Sequence, residues 1–402
     1  MRKRCYLPLF LFFVANHICV SQVSVDLLTG APRVSIPIYN LRSNDLQLPV
    51  VLGYNPGAVR NDNSESWVGM GWSLNPGGFI GREVKDIPDD IDLSTHKGWL
   101  SGTVASDVAA FTPTADTNLA QCSDELNDYQ NLLGFYDNGG VMKDLEPDVY
   151  YFNFAGYSGQ FVFDNNKSIK TIPYMDLKIT PVFSGPSIAS FEVTTPDGII
   201  YEFSDRQQLR KSTSKDLGSP LLFQREHRVY SDTLTYVTDW YLSKITSFTG
   251  AFINFSYTSS NENETSAERK VTIYSDEDES YVTSTVHTTN LYSWSKVIKS
   301  ITSSSGVRLA FEANPKPDER YELRVINVFR GFELVQSHLF NYIEPRCSDN
   351  QNNDFLMLKS ITRTHNCLKD PPYSFEYRGI TQEQEISFPC LDVCNYDFWG
   401  NL

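Results

Sequence analysis

The stretch Ser66–Val84, "SWVGMGWSLNPGGFIGREV", combines several glycines with two tryptophans. The spacing of its glycines shows whether the stretch is a phosphate-binding loop or a structural element. Gly69 and Gly71 form a GxG, but Leu74 stands where a dinucleotide fingerprint needs its third glycine, and no P-loop GK[ST] occurs. The residues "GGFIGREV" read as a strand, so no helix N-terminus follows to bind a phosphate. The stretch therefore predicts two short strands around an "NPGG" turn.

In this interpretation the motif is architectural. The turn begins at Asn75 and Pro76 and takes positive φ at the two glycines that follow. Glycines between the two tryptophans allow close backbone approach, and both tryptophans are expected to be largely buried. The residues of this structural motif are Trp67, Gly69, Gly71, Trp72, Asn75, Gly77 and Gly78.

Composition predicts a mainly β protein. The chain has 402 residues, of which 13% are aromatic, and its many Phe, Tyr, Gly and Pro residues favour strands joined by tight turns. We expect antiparallel β-hairpin units in a β-sandwich or a curved-sheet, shell-like arrangement. The net charge of -15 argues against binding to nucleic acid or to an anionic membrane surface.

Alternating apolar residues mark the first strands. Val34, Ile36 and Ile38 share one strand face, and residues 50, 52 and 54 share another. Pro37 and Pro49 fall inside or beside these strands. Because proline cannot donate to a β-ladder, they predict strands that are short or lie at sheet edges.

A hairpin pattern then recurs along the chain. "DVYYFNFAGYSGQFVFD" predicts a hairpin around "GYSG", and "FEVTTPDGIIYEFSD" predicts one around "PDG". Three later segments each place an isoleucine three residues after Leu or Ile, followed by a turn and a strand that contains phenylalanine. The residues concerned are Leu242, Ile245 and Phe255; Ile298, Ile301 and Phe311; and Leu358, Ile361 and Phe375. This is a degenerate repeat of hairpin units, not a strict solenoid.

The chain divides into four parts. Residues 1–21 predict a signal peptide, with basic "MRKR" before a short apolar core. Residues 22–90 form an N-terminal β region that contains the motif, and residues 91–145 are a loop-like insertion with a short helix around 123–133. Residues 146–402 form the hairpin-repeat region. After signal cleavage we expect no membrane span.

An exported protein reaches an oxidising compartment, where its cysteines can form disulfides. The candidates are Cys347, Cys367, Cys390 and Cys394, which allow up to two disulfides in three possible pairings. A zinc site from His365 and the last three of these cysteines is an alternative, although paired CxxC knuckles are absent.

No catalytic or cofactor motif stands out in the sequence. There is no G-x-S-x-G elbow and no HExxH, so neither a catalytic residue nor a cofactor is assigned. Acidic clusters at residues 86–92 and 276–279 lack EF-hand spacing, and no metal site is assigned to them. A glycoside hydrolase with paired carboxylates is the enzymatic alternative, since their separation in space is not visible in sequence.

The order of the blocks resembles a known family. "VDLLTGAPRVSIPIYNL", "LPVVLGYN", "SWVGMGWSLNPGG", "EPDVYYFNFAGYSGQFVFD" and "WYLSKITSFTGAFINFSY" together resemble the amino-terminal region of Rhs/YD-repeat proteins. These are long secreted or surface proteins of Gram-negative bacteria, related to the shell-forming components of insecticidal toxin complexes. "YDFWGNL" fits a Y-D-x-x-G-N-L repeat through Tyr396, Asp397 and Gly400.

The resemblance implies hairpin repeats that wind into a hollow shell or a continuous sheet spiral. It implies a non-enzymatic, exported scaffold, secreted or held at the cell surface or in the periplasm, whose partner is the remainder of an Rhs-type protein. We expect the chain to be the front part of such a protein, without its core and effector segments. The alternative is a carbohydrate-binding or adhesin-like β module whose exposed Trp and Tyr contact surface glycans.

Overall fold

The structure, a computed structural model, describes residues 22–25, 32–55, 66–85, 87–110, 141–217, 228–275, 280–316, 320–344, 356–365 and 368–377. The predicted signal peptide and the helix predicted around 123–133 lie outside these residues, and so does the acidic cluster at 276–279.

Strands make up most of the described chain, which confirms the prediction of a mainly β protein. In the first half they are β1 (Gln22–Val25), β2 (Pro32–Ser43), β3 (Leu46–Tyr54), β4 (Trp72–Leu74), β5 (Phe79–Glu83), β6 (His96–Lys97), β7 (Met142–Lys143), β8 (Val149–Phe154), β9 (Tyr157–Phe163), β10 (Ile169–Ile172), β11 (Lys178–Ser184) and β12 (Ser187–Thr194). In the second half they are β13 (Ile200–Leu217), β14 (Arg228–Thr246), β15 (Phe252–Ser275), β16 (Ser280–Ser303), β17 (Val307–Pro315), β18 (Tyr321–Arg330), β19 (Glu333–Ile343), β20 (Met357–His365), β21 (Leu368–Lys369) and β22 (Tyr373–Ser374).

The strands form two antiparallel sheets and one short parallel pair, β6 with β7. The small sheet has the order β1-β2-β3-β4. The large sheet has sixteen strands, and its main path runs β10-β9-β8-β5-β14-β13-β16-β17-β18-β19-β20-β21. Off this path, β11 pairs with β12, β12 joins β13, β15 pairs with β14 and β16, and β22 pairs with β20. The predicted antiparallel hairpin units are therefore present.

A helix, α1 (Val104–Ala110), lies in a stretch that the sequence predicts to be loop-like, so that prediction is wrong for these seven residues. The segment "VASDVAA" is rich in alanine, and Val104 and Ala105 are buried. Thr103 donates from Oγ1 to Oδ2 of Asp107 at 2.8 Å in the first turn. No helix among the described residues is long and apolar enough to cross a membrane.

One apolar core joins the two sheets. Strand β3 alternates buried and exposed residues, as the period of a half-buried strand requires. Ile36 and Ile38 on β2, which were predicted to share one strand face, are both buried and belong to the same cluster as Ile80 and Ile326 of the large sheet. The small sheet therefore packs its apolar face against the large sheet.

The two prolines of the small sheet lie on long strands, so the prediction of short strands is wrong, but they lie where the described sheet has only the β2–β3 ladder. Strand β1 pairs with residues 32–35 of β2 and β4 with residues 52–54 of β3, so Pro37 and Pro49 both lie at locally open edges of the described sheet. Strands β2 and β3, with 12 and 9 residues, are the inner strands of the sheet. The register between them shifts between Pro37 and Tyr39, where a β-bulge accommodates a residue that cannot donate to the ladder. Pro49 lies opposite Asn40 within the ladder.

The recurring hairpins bury the residues that the sequence singled out. Phe255 and Phe311 are buried, and Phe375 packs against the core while partly exposed. The "PDG" turn is confirmed by the bond from Thr195 N to Ile199 O, at 3.0 Å. The "GYSG" prediction is wrong by two residues, because β8 and β9 are joined by Ala155 and Gly156, both with positive φ.

A β-bulge explains why two buried residues lie three apart in these strands. In a regular strand such residues face opposite sides of the sheet. Here the pairing skips one residue immediately after the first apolar residue: Lys299 is skipped between Ser300 and Ile298, and Lys359 between Ser360 and Leu358. Ser243 and Arg324 are skipped in the same way in β14 and β18. The bulge returns both apolar residues to the core side of the sheet.

A tyrosine hydroxyl bonds the backbone at three of these bulges. Each tyrosine follows a phenylalanine by two residues and donates to the carbonyl of the leucine that precedes the skipped residue. The pairs are Tyr257 with Leu242, Tyr342 with Leu323 and Tyr377 with Leu358, each at 2.7 Å. The fourth bulge follows Ile298, and there Ala313, two residues after Phe311 on β17, stands where the other units have tyrosine. Burial raises the pKa of all three tyrosines, that of Tyr377 to about 12, so the hydroxyls keep their protons.

The β2–β3 turn lies against the hairpin turns of the large sheet. Oδ1 of Asp45 accepts from Oγ of Ser247 at 2.9 Å and from Oγ1 of Thr249 at 2.8 Å. Ser305 donates to the carbonyl of Arg42 at 2.9 Å. These bonds fix the β2–β3 turn of the small sheet on successive turns of the large sheet.

We predict that Tyr342→Phe lowers the free energy of unfolding by about 1–3 kcal/mol, because it leaves the Leu323 carbonyl buried without its donor. Urea unfolding followed by circular dichroism measures the change. Tyr292→Phe is the matched control, since Tyr292 is exposed, and it should change stability by less than about 0.5 kcal/mol. Equal effects in the two variants would contradict the role of the tyrosine bond.

Buried His338 gives a prediction for pH. Burial, and then the positive charge of Arg363, lowers the pKa of His338 to about 4. The His338 side chain takes up a proton below pH ~6.5 in the unfolded chain but only near pH ~4 in the folded protein. The free energy of unfolding therefore falls as the pH is lowered from ~6.5 towards 4, by up to about 3 kcal/mol. His338→Gln should remove this part of the pH dependence, as urea midpoints between pH 7 and 4 would show. An unchanged slope would contradict it.

Candidate functional site

The glycine- and tryptophan-rich motif carries the chain from the small sheet to the large one. Strand β4 pairs with β3 in the small sheet, whereas β5 lies between β8 and β14 in the large sheet. The predicted short strands on either side of "NPGG" are therefore present, but they belong to different sheets. Residues 75–78 make the crossing.

Before β4, residues 66–71 form a turn that packs against the start of β20 in the large sheet. Ser66 donates from Oγ to the carbonyl of Trp72 at 2.6 Å. The amide of Met70 donates to the Leu356 carbonyl at 2.8 Å. Gly69 has a φ of +100°, and a Cβ there would lie only 3.0 Å from the amide nitrogen of Leu358. The position therefore needs glycine for conformation and for space.

The two tryptophans have different environments. Trp72 is 4% exposed, with its ring 5.0 Å from that of Tyr54 and 4.5 Å from that of Phe375. Its indole nitrogen donates to the hydroxyl of Tyr377 at 2.9 Å, which extends the tyrosine–carbonyl bond of the last bulge. Trp67 is partly exposed but packs against the core, so the expectation of largely buried tryptophans is confirmed most fully for Trp72.

The "NPGG" turn depends on Gly78 more than on its neighbour. The side-chain oxygen of Asn75 accepts from the amide of Gly78 at 3.2 Å. Gly78 has a φ of +110°, and a Cβ there would lie 2.4 Å from the carbonyl oxygen of Asn153. Gly77 does not have positive φ, which corrects the prediction. It instead lies close to the rings of Phe255 and Tyr257, and Gly71 has the positive φ of 76°.

At the end of β5, Arg82 forms a buried ionic cluster. Its side chain has no exposed surface, and Nη1 lies 2.6 Å from Oδ1 of Asp90 and 3.8 Å from Oδ2 of Asp148. Nη2 donates to the carbonyl of Val237. The guanidinium carbon lies 5.3 Å from the centre of the Trp240 ring. Several partners thus offset the cost of burying this charge.

Two aspartates close the cluster by reciprocal backbone bonds. The amide of Asp148 donates to Oδ1 of Asp89, and the amide of Asp89 donates to Oδ2 of Asp148, both at 2.9 Å. Tyr150 donates its hydroxyl proton to Oδ2 of Asp89 at 3.1 Å. Burial raises the pKa of Asp148 to about 6 and that of Asp89 well above its usual range. These shifts come from groups that hold the fold together.

A cleft of about 240 Å³ opens beside the crossing. Residues of the motif form one wall, and β14, β15, β16 and the start of β18 form the others. Its aromatic lining residues are Trp67, Tyr241, Tyr257 and Tyr321. Its polar and charged lining residues are Ser66, Asn75, Ser295, Lys296 and Arg320, and its aliphatic ones are Leu74, Pro76, Val297 and Ile298. This combination can hold a small ring that carries polar groups.

A second cleft, of about 330 Å³, includes the carboxylates of Asp90 and Asp92. Both carboxylates have partners within the protein. Asp90 binds Arg82 and also accepts from the amide of Ile188 at 2.8 Å, and Asp92 accepts from Ser101 at 2.9 Å. No group of three or more His, Cys, Asp or Glu that could hold a metal ion was found in the described parts of the chain.

The remaining predicted residues are not brought into this site. The candidate disulfide cysteines at 347, 367, 390 and 394 lie outside the described residues, and so do Tyr396, Asp397 and Gly400 of the repeat motif. His365 is described, and its Nδ1 lies 3.7 Å from Oδ1 of Asp370. The disulfide, zinc and repeat hypotheses therefore stay predictions.

Sequence reasoning missed the groups that complete the cleft and the bulges. Tyr257, Tyr342 and Tyr377 had a visible signal, the recurring F-x-Y of "FSY", "FNY" and "FEY" after each hairpin turn. Lys296 and Tyr321 had none, because each approaches the motif only through pairing between distant strands.

No protein-family model and no curated protein matches the chain. Among solved structures it is similar to a TcdB2–TccC3 crystal structure, with 11% identity over 90% of this chain and 17% of that chain at a TM-score of 0.43. It is similar to a Tc holotoxin pore of Photorhabdus luminescens, with 11% identity over 90% and 16% at 0.42. It is also similar to the N-terminal domain of the effector SpvB from Salmonella typhimurium, with 13% identity over 82% and 98% at 0.34.

The chain spans about a sixth of the length of the two Tc chains and nearly all of the SpvB domain. At these identities and TM-scores the similarity is coarse, and it assigns no ligand or partner to this chain.

We predict that Gly78→Ala prevents folding or lowers the free energy of unfolding by more than about 4 kcal/mol, because the new Cβ would clash with the Asn153 carbonyl. Gly156→Ala is the matched control. Gly156 also has positive φ, at 87°, but nothing lies within 4 Å of its Cβ position, so the cost should be about 1 kcal/mol. Soluble yield and urea midpoints compare the two variants. Equal losses would show that backbone conformation alone makes glycine necessary at 78.

Proposed function

We propose that this chain is a non-enzymatic structural scaffold that supplies a section of β-sheet wall. The observation that carries the proposal is the repeated hairpin unit in the large sheet. In each unit a bulge follows a buried Leu or Ile, and three of the four bulges are bonded by a tyrosine. Such units add to one another through backbone pairing, which suits a wall that is extended strand by strand.

The distribution of charge supports the same proposal. The residues with the most strongly shifted pKa values near the motif, Arg82, Asp89, Asp148 and Tyr150, bond to one another and to backbone groups inside the protein. An ionic cluster buried in this way connects β5, β8 and the segment between them. It serves the junction of the strands and not a reacting group.

The strand edges are where a wall would continue. Strands β10 and β21 end the main path of the large sheet, and each carries an exposed aliphatic residue, Ile172 and Leu368. An unpaired edge offers backbone groups to a further strand. The sequence resemblance to Rhs/YD-repeat proteins supports a further hairpin segment of that family as the partner. It also supports export through the predicted signal peptide to the periplasm, cell surface or medium.

A photo-cross-linking residue at position 172 or 368, in the full-length gene product within the producing cell, tests this proposal. We expect cross-links from the edge positions to a further β-rich segment or chain. The same probe at Phe332, which is fully exposed on the β18–β19 turn, should give none and serves as the control. Identical labelling from edge and turn would overturn the proposal, and so would turnover of a glycan by the purified protein.

A further inference from the structure

Three exposed apolar side chains lie at one end of the large sheet. In the described part of the chain, six large apolar side chains are more than half exposed. Ile172 and Leu368 belong to the strand edges assigned above, and Tyr174 lies in the segment after β10. The other three lie on or beside hairpin turns: Phe248, Phe332 and Leu334. Apolar side chains exposed together in this way mark an interaction surface.

The hairpin turns that carry these side chains form one row. The pairs β14–β15, β16–β17 and β18–β19 are successive antiparallel hairpins, so their turns lie at the same end of the sheet. The amide of Ser304 donates to the Phe252 carbonyl, and the amide of Gly331 donates to the Gly306 carbonyl, both at 2.9 Å. The β2–β3 turn is bonded to the same row through Asp45. The turn row comprises these four turns, residues 44–45, 247–251, 304–306 and 331–332, and the β12–β13 turn at 195–199, whose Gly198 lies beside Phe248.

The two phenylalanines project from separate turns. Four strand spacings separate the β14–β15 hairpin from the β18–β19 hairpin, which places the two turns about 19 Å apart. The turn between them, "SSSG" at 303–306, carries only small residues. The row is therefore not a continuous apolar face of the kind that forms the core of a protein interface. Because the turns are bonded side by side, their separate apolar side chains can all enter one flat bilayer surface.

The turn row is neutral overall, unlike the chain. Within two residues of its turns, the positive and negative side chains are equal in number, whereas the whole chain carries a net charge of -15. The positive residues are Arg42, Arg308 and Arg330, and the negative residues are Asp45, Asp197 and Glu333. A neutral surface matches zwitterionic headgroups, whereas the charge of the whole chain disfavours an anionic bilayer.

We propose that the turn row binds the surface of a zwitterionic lipid bilayer, with Phe248, Phe332 and Leu334 inserted at the level of the headgroups and upper acyl chains. Apolar side chains gain free energy there by leaving water. The strand backbones behind the turns are paired in the ladder, and a shallow insertion keeps the backbone groups of the turns among the headgroups. The binding uses turn side chains and not open strand edges, so it goes beyond the proposed scaffold.

Flotation of the purified full chain with phosphatidylcholine vesicles tests the proposal. Three side chains bury less apolar surface than one acyl chain, so half of the protein should float at roughly 1 mM lipid. Phe248→Ser and Phe332→Ser should each weaken partitioning about fivefold to tenfold, and the double variant should stay unbound. Anionic phosphatidylglycerol vesicles should bind more weakly, because the chain carries a net charge of -15.

The matched control is Tyr174→Ser, which removes an aromatic ring that is 86% exposed outside the turn row. It should float as the unchanged protein does, and all of these variants should keep the fold because the positions are exposed. No flotation, equal losses in the control, or stronger binding to phosphatidylglycerol would each overturn the proposal. Self-association that Phe332→Ser abolishes, without vesicle binding, would overturn it in favour of a second copy of the chain. Lipid contact at Phe332 adds no β-rich segment to the cross-linked products, so the control for the sheet edges holds and the two proposals fail separately.

Discussion

The repeated β-bulge is the constraint on which the large sheet depends. Leu242, Ile298, Leu323 and Leu358 are each buried together with an isoleucine three residues later, although a regular strand would place one of the two in solvent. The extra residue at the bulge resolves this conflict and adds local twist. It also leaves a leucine carbonyl that the regular ladder does not use. In three units a tyrosine bonds this carbonyl, from the next strand in two of them and from the segment after β22 in the third. The bulge thus satisfies strand pairing and side-chain burial together in every unit, and in three units a tyrosine also satisfies the carbonyl.

The crossing at residues 75–78 then joins this repeating sheet to the N-terminal one. It delivers β5 between β8 and β14, where Arg82 reaches Asp90, Asp148 and the Val237 carbonyl. Trp72, on the other side of the crossing, bonds Tyr377 and so reaches the last bulge of the described sheet. A motif of nineteen residues therefore links the small sheet, the aromatic hairpins and the repeat units. The cleft follows from this arrangement, since its motif wall faces three long strands.

Sequence reasoning predicted what depends on local pattern. The hairpins, the recurrence of the Leu/Ile spacing and the architectural interpretation of "NPGG" followed from local spacing and turn chemistry, which act within a few residues. It failed where contacts between residues far apart in the sequence determine the local structure. Gly77 is small because Phe255 and Tyr257 lie beside it, Pro37 lies at a bulge of an inner strand, and Trp67 lines a cleft whose other walls lie more than 170 residues later. The partners of Arg82 at Asp148 and Val237 could not be predicted either, because the spacing of residues does not encode which distant strands pair within a sheet.

The register across a bulge tests this account most directly. Ser256 lies opposite Ser300, and beyond the bulge Thr258 lies opposite Val297, whereas regular pairing would place Thr258 opposite Ile298. Cysteines introduced in pairs at 258 and 297, or at 258 and 298, can be oxidised and mapped by mass spectrometry. A disulfide needs close Cα atoms and Cβ atoms on the same face of the sheet, and successive residues of a strand point to opposite faces. The account predicts a disulfide between positions 258 and 297 and none between 258 and 298. The reverse result would contradict the bulge and, with it, the repeating unit of the sheet.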